Sequence, residues 1–115
     1  MSNMDRTPKI GLALGSGSAR GWSHIGVIQE LEKSNITPDI VCGSSIGSIV
    51  AAAYANNRLQ HLEQGIRQLS PWNMLKFFEL SINTRGFIDN KRLNNFIEEY
   101  VCSADQLIED LPKRF

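Results

Sequence analysis

The sequence predicts an α/β chain built on a parallel sheet, and three observations carry that prediction. Two short apolar runs, Lys9–Leu14 (KIGLAL) and Asp39–Cys42 (DIVC), each end at a glycine. Each is followed by a turn of small residues and then by a segment of helical period. This β-loop-α-β-loop-α order is the pattern of strands joined by right-handed crossovers. Composition sets the outer bounds. With 115 residues, 42% hydrophobic and 21% charged, the chain suits one domain that buries about two thirds of its unfolded surface.

Residues 1–8 are polar and read as a flexible N-terminus, with the folded part spanning 9–115. Lys9–Leu14 reads as a buried strand and 15–20 (GSGSAR) as a loop. From Gly21 a helical period places Trp22, Ile25, Ile28 and Leu31 on one face, until Asn35 and Pro38 break it. Asp39–Cys42 is the second strand, and its Cys42 is expected to be a small core residue. Ile46–Asn56 (IGSIVAAAYAN) is an Ala-rich helix suited to tight packing. Helices are then predicted over Leu59–Leu69, Pro71–Leu80 and Asn90–Val101, with Asp89 as N-cap of the last. Leu93, Phe96, Ile97 and Tyr100 give that last helix an apolar stripe. The end, Lys113-Arg114-Phe115, follows a proline at a place where another strand could start.

Charge and composition exclude several functions. Twelve basic residues balance twelve acidic ones, so no net field recruits nucleic acid. The apolar stretch 46–55 is about half a membrane span. No secretory signal opens the chain, and two cysteines sixty positions apart fit reduced thiols, so a cytoplasmic location is expected.

The chemistry concentrates at the strand ends. Gly43-Ser44-Ser45-Ile46-Gly47 is a G-x-S-x-G sequence between a strand and a helix. A sharp turn there strains the central residue and lifts its side chain above the sheet, while Gly43 and Gly47 remove colliding Cβ atoms. The turn therefore reads either as a nucleophilic Ser45 at a helix N-terminus or as a small-residue packing turn. The segment Gly15-Ser16-Gly17-Ser18-Ala19-Arg20-Gly21 shifts the balance toward acyl chemistry. In a parallel βαβ unit it faces the same sheet edge as Ser45, and its backbone N–H groups can cradle an oxyanion. A dinucleotide fingerprint fails, because Arg20 takes the third-glycine place and the second strand ends in Cys42-Gly43 rather than an acid. A Walker loop fails for want of Gly-Lys-Ser/Thr.

A Ser-His-acid triad cannot be assembled in hydrolase order. Both histidines, His24 and His61, precede every later aspartate, and they read as structural or solvated side chains. Asp39, at the far end of the second strand, lies about a dozen ångströms from the elbow at ~3.3 Å per residue.

These segments, GLALGSGSARGWSHIGVIQELE and PDIVCGSSIGSIVAAAYA, resemble the opening of the patatin-like phospholipase family. The resemblance is strongest to its bacterial RssA-type branch, related to the neuropathy-target-esterase group. It implies a three-layer parallel-sheet fold and a Ser–Asp dyad, which accounts for the lack of a catalytic histidine. By position it makes Ser45 the nucleophile on the Gly43–Gly47 elbow and Gly15, Ser16, Gly17 and Ser18 the oxyanion loop, with Gly17 and Ser18 favoured as donors. Ser16 and Ser18 stand where the family often has glycine, which narrows the available φ/ψ space. Arg20 matches a basic position that orients the loop or an anionic substrate, or else forms a salt bridge at the helix start.

The implied activity is hydrolysis of lipid or other carboxylic esters, without cofactor or metal, in contact with a membrane surface. One departure is evident. The family's aspartate lies in an Asp-Gly-Gly or Asp-Gly-Ala turn, and this sequence has no Asp-Gly pair. The resemblance thus covers only the N-terminal part of the domain, and the contrasting expectation is an inactive remnant or a regulatory, binding fragment. The apolar segment 71–80 (PWNMLKFFEL) reads as a lipid-facing element, a buried helix, or a surface for self-association.

Overall fold

In the computed structural model, residues 7–70, 72–73 and 90–115 are described. They form an α/β unit on a parallel two-stranded sheet, as expected for part of a patatin-like domain. Strand β1 (Gly11–Leu14) pairs in parallel with β2 (Ile40–Gly43), Gly11 opposite Ile40 and Leu14 opposite Gly43. A 3₁₀ turn over Ser18–Trp22 runs without a break into α1 (Ser23–Lys33). Helix α2 (Ile46–Ala55) follows β2, and α3 (Leu59–Arg67) and α4 (Asn90–Tyr100) complete the helical layer. The predicted helix 71–80 and the Asp89 cap lie outside the described residues, apart from Trp72 and Asn73, which are helical.

Two helix ends show how the chain turns. Both α1 and α2 close with a left-handed asparagine, Asn35 at φ 61° and Asn57 at φ 58°. Ile36 N donates to Leu31 O at 2.9 Å, and Arg58 N to Ala53 O at 2.8 Å. These are Schellman closures, in which a short polar side chain tolerates the left-handed conformation.

The core lies between the sheet and the helices. Leu14 and Val41 from the strands meet Ile25 and Ile28 of α1, Ile46, Val50, Ala51 and Tyr54 of α2, Leu62 and Ile66 of α3, and Phe96 of α4. The Ala-rich face of α2 is fully buried at Ala51, Ala53 and Ala55. Gly65 lets α4 approach α3, since a Cβ there would stand 2.7 Å from the Tyr100 ring. Phe96 joins that ring, at 5.0 Å between centroids, to Trp22, at 6.4 Å.

Two expectations need correction. Cys42 is exposed rather than buried, and β1 is not buried on both sides. Side chains alternate along a strand. Leu14 and Val41 therefore face the helices, whereas Ala13, Ile40 (44% exposed) and Cys42 point to the other face. All three are exposed among the described residues. The place where a further strand was expected does pair: Arg114 bridges Ile40 in parallel, and Val41 N donates to Arg114 O at 2.9 Å. Strand β2 is thus flanked on both edges.

Candidate active site

The turn after β2 is built from three short-range bonds. Gly47 N donates to Ser44 O and Ser48 N to Ser45 O, both at 2.9 Å, and the Ser48 hydroxyl also donates to Ser45 O at 2.5 Å. Ser45 sits at φ 54°, ψ −124°, the values of the first central residue of a type II′ turn, where glycine is usual. For a non-glycine residue this conformation costs about 1–3 kcal/mol and persists only when its surroundings enforce it. The enforcement comes from the flanking glycines. A Cβ on Gly43 would lie 2.2 Å from Gly47 O, and one on Gly47 would lie 2.3 Å from Leu14 O. Those contacts are with backbone, which cannot step aside. Ser45 is left exposed at the head of α2, the strand–turn–helix geometry that the G-x-S-x-G spacing predicts.

The loop after β1 meets this turn directly. Ser44 N donates to Leu14 O at 3.0 Å. Gly21 packs on Ile46, with only 2.1 Å between a notional Cβ and the Ile46 side chain. Gly15, Ser16, Gly17 and Ser18 are all exposed beside the elbow's strand end. Arg20 N closes a turn onto Gly17 O at 3.2 Å, with Gly17 at φ 153° and Ser18 at φ 54°. Ser18 thus occupies the left-handed region that glycine would occupy freely. The N–H groups of Gly17, Ser18 and Ile46 donate to no other described residue. Arg20 is exposed and makes no ion pair among the described residues, so the salt bridge considered for it is not formed there.

The remaining titratable candidates lie elsewhere. Asp39 Oδ2 accepts from Ile10 N at 2.7 Å, clamping the opposite ends of the strands. His61 is exposed on α3. His24, in the first turn of α1, donates through Nε2 to Gly15 O at 2.8 Å. Its role was not legible from the motifs, although side chains in a first helical turn lean back toward the preceding loop. Among the described residues there is no group of three or more His, Cys, Asp or Glu that could hold a metal. No helix among them is long and apolar enough to cross a membrane.

A strand–turn–helix elbow beside a glycine- and serine-rich loop on a parallel sheet is the class of architecture used by serine hydrolases. The patatin-like phospholipase family model matches residues 12–114. An uncharacterised NTE family protein of Mycobacterium tuberculosis is 33% identical over 106 residues, covering 92% of this chain and 29% of that protein. Lysophospholipase NTE1 of Candida glabrata is 32% identical over 121 residues, 89% of this chain and 7% of its own length. Patatin-like phospholipase domain-containing protein 6 of Homo sapiens is 53% identical over 49 residues, 43% of this chain and 4% of its own. No solved structure matches the chain. The chain belongs to the patatin-like phospholipase family, and it spans under a third of the length of the curated relatives it matches.

Proposed function

We propose that this chain supplies the nucleophile and oxyanion loop of a hydrolase acting on lipid carboxylic esters. The observation that carries the reading is Ser45, held exposed at φ 54°, ψ −124° at the head of α2, with the Gly15–Ser18 loop locked against the same turn. Relatives bearing phospholipase and lysophospholipase names support the lipid class.

The chemistry follows from the positions. Ser45 Oγ attacks the ester carbonyl carbon and its proton passes to a carboxylate base, an aspartate by the family pattern. Charge gathers on the carbonyl oxygen, and this reading assigns as its donors the N–H groups of Ile46, Gly17 and Ser18, which have no backbone acceptor among the described residues. Such donors contribute about 3 kcal/mol each to lowering the barrier. The tetrahedral intermediate collapses, the C–O bond to the alcohol breaks, and the alcohol leaves with the proton held by the base. Water then attacks the acyl-Ser45 ester and releases the fatty acid, restoring the serine. Asp39, engaged by Ile10 N at the opposite strand ends, is not the base.

A second reading, a binding or regulatory chain without turnover, draws on one observation: among the described residues no carboxylate or imidazole is hydrogen-bonded to Ser45. One experiment separates the two. The protein is incubated with a fluorophosphonate probe and a short-chain ester, alongside Ser45→Ala. A single Ser45 adduct with ester turnover, both lost in Ser45→Ala, supports the hydrolase. Adduct formation without turnover supports the second reading. Labelling that survives the substitution removes Ser45 from the chemistry.

A further inference from the structure

We infer that His24 is a positioning residue for the oxyanion loop, acting through the carbonyl of Gly15; this rests on the reading of that loop given above. The contact is His24 Nε2 to Gly15 O at 2.8 Å. A carbonyl oxygen only accepts, so Nε2 carries the hydrogen, and both the neutral Nε2–H tautomer and the imidazolium can make the bond. His24 is half-buried in the first turn of α1, nine residues beyond Gly15, so the bond spans the whole loop and ties its first residue to the helix that follows.

The same oxygen is confined from a second side. A Cβ on Gly47 would lie 2.6 Å from Gly15 O, so the elbow backbone closes on the carbonyl that His24 holds. In a trans peptide the C=O and the next N–H point in opposite directions. Drawing Gly15 O toward α1 therefore turns the Ser16 N–H away from α1, toward the open side of the loop where Ser16, Gly17 and Ser18 are exposed. His24 touches neither Ser45 nor a substrate. Its effect is to fix the Gly15–Ser16 peptide plane, which packs against the elbow at Gly47.

Two variants, two spectroscopic readouts and a labelling rate test this in the whole protein. His24→Gln keeps an N–H donor at nearly the same reach, whereas His24→Leu fills the space without one. Imidazole ¹⁵N shifts of the wild type should show the Nε2–H tautomer, and the amide signals of Gly15, Ser16 and Gly17 should move in His24→Leu and return in His24→Gln. The second-order rate of fluorophosphonate labelling at Ser45 should fall about tenfold or more in His24→Leu, as for a weakened oxyanion donor, and recover to within about threefold in His24→Gln.

An Nδ1–H tautomer in the wild type overturns the proposal, and that measurement does not depend on how either variant folds. Unmoved loop signals in a folded His24→Leu, or no recovery in a folded His24→Gln, overturn it as well. If wild-type Ser45 takes no label, the hydrolase reading fails, and the tautomer and loop signals still decide whether His24 positions the loop.

Discussion

Gly47 and Gly15 approach so closely that a β-carbon on Gly47 would stand 2.6 Å from the carbonyl oxygen of Gly15. The turn that presents Ser45 and the loop beside it are therefore one packed unit. Neither can change its backbone path without moving the other. Ser44 N bonded to Leu14 O and Gly21 seated on Ile46 bind the same two junctions together.

The glycines of this unit should consequently differ in their tolerance of alanine. Gly43→Ala and Gly47→Ala drive a Cβ into backbone atoms at 2.2 and 2.3 Å and should cost about 2–3 kcal/mol or more, read from urea unfolding. At Gly15 nothing lies within 4 Å of the added Cβ, so Gly15→Ala should change stability by less than about 1 kcal/mol. Equal costs at the three positions would contradict the close approach.

Ser18 and Ser45 share φ 54°, a value that strains serine and strains a branched side chain more. Ser18→Val should destabilise the protein by about 1–2 kcal/mol, while Ser18→Gly should remain within about 1 kcal/mol of the wild type. A valine variant as stable as the glycine variant would contradict the left-handed loop.

Tyr54 gives the fold an alkaline limit. Burial, reinforced by the nearby Glu32 carboxylate, pushes its phenol up to about 12. The folded state thus prefers the neutral phenol, and that contribution is complete below the ordinary value of about 10 and lost as pH rises from about 10 to 12. The stability difference between wild type and Tyr54→Phe should be flat below pH 10 and turn against the wild type above it. Phenylalanine keeps the ring that lies 5.2 Å beneath Lys113 Nζ, so the comparison isolates the hydroxyl. A difference that stays flat to pH 12 would contradict the burial of the phenol.

Glu63 acts on the acid side. Hydrogen bonds from Arg67, at 2.9 Å, and from Gln29 of α1, at 2.7 Å, hold its carboxyl below the usual range. Its contribution is therefore complete above the ordinary carboxylate value and is lost as pH falls through the lowered one. Glu63→Gln should remove this part of the acid dependence and, as an i,i+4 surface pair, cost about 0.5 kcal/mol near neutrality. An unchanged acid limb in thermal unfolding would contradict the Gln29–Glu63–Arg67 link.

The order of elements was legible because each cue was local. The glycine after each apolar run, the Trp22–Ile25–Ile28 stripe and the Leu93–Tyr100 stripe all act within one strand or a few helical turns. Boundaries moved by one or two residues, with β1 starting at Gly11 rather than Lys9 and α3 ending at Arg67 rather than Leu69. What the sequence did not reveal is long-range. An apolar four-residue run does not say whether one or both faces are covered, and so Cys42 was expected inside and lies outside. The bond from His24 to Gly15, and the pairing of Arg114 with Ile40, depend on segments brought together only by the crossover. The elbow motif was plain because its spacing is fixed by one turn. A proton acceptor for Ser45 is a tertiary matter that no local pattern reports.

The most direct test is peptide mapping by mass spectrometry after exposure of the whole protein to a fluorophosphonate probe. The predicted result is one phosphonyl adduct, on Ser45, absent from Ser45→Ala. An unmodified Ser45 in the folded protein, or an adduct on another serine that persists in Ser45→Ala, would contradict the assignment of this turn as the seat of the chemistry.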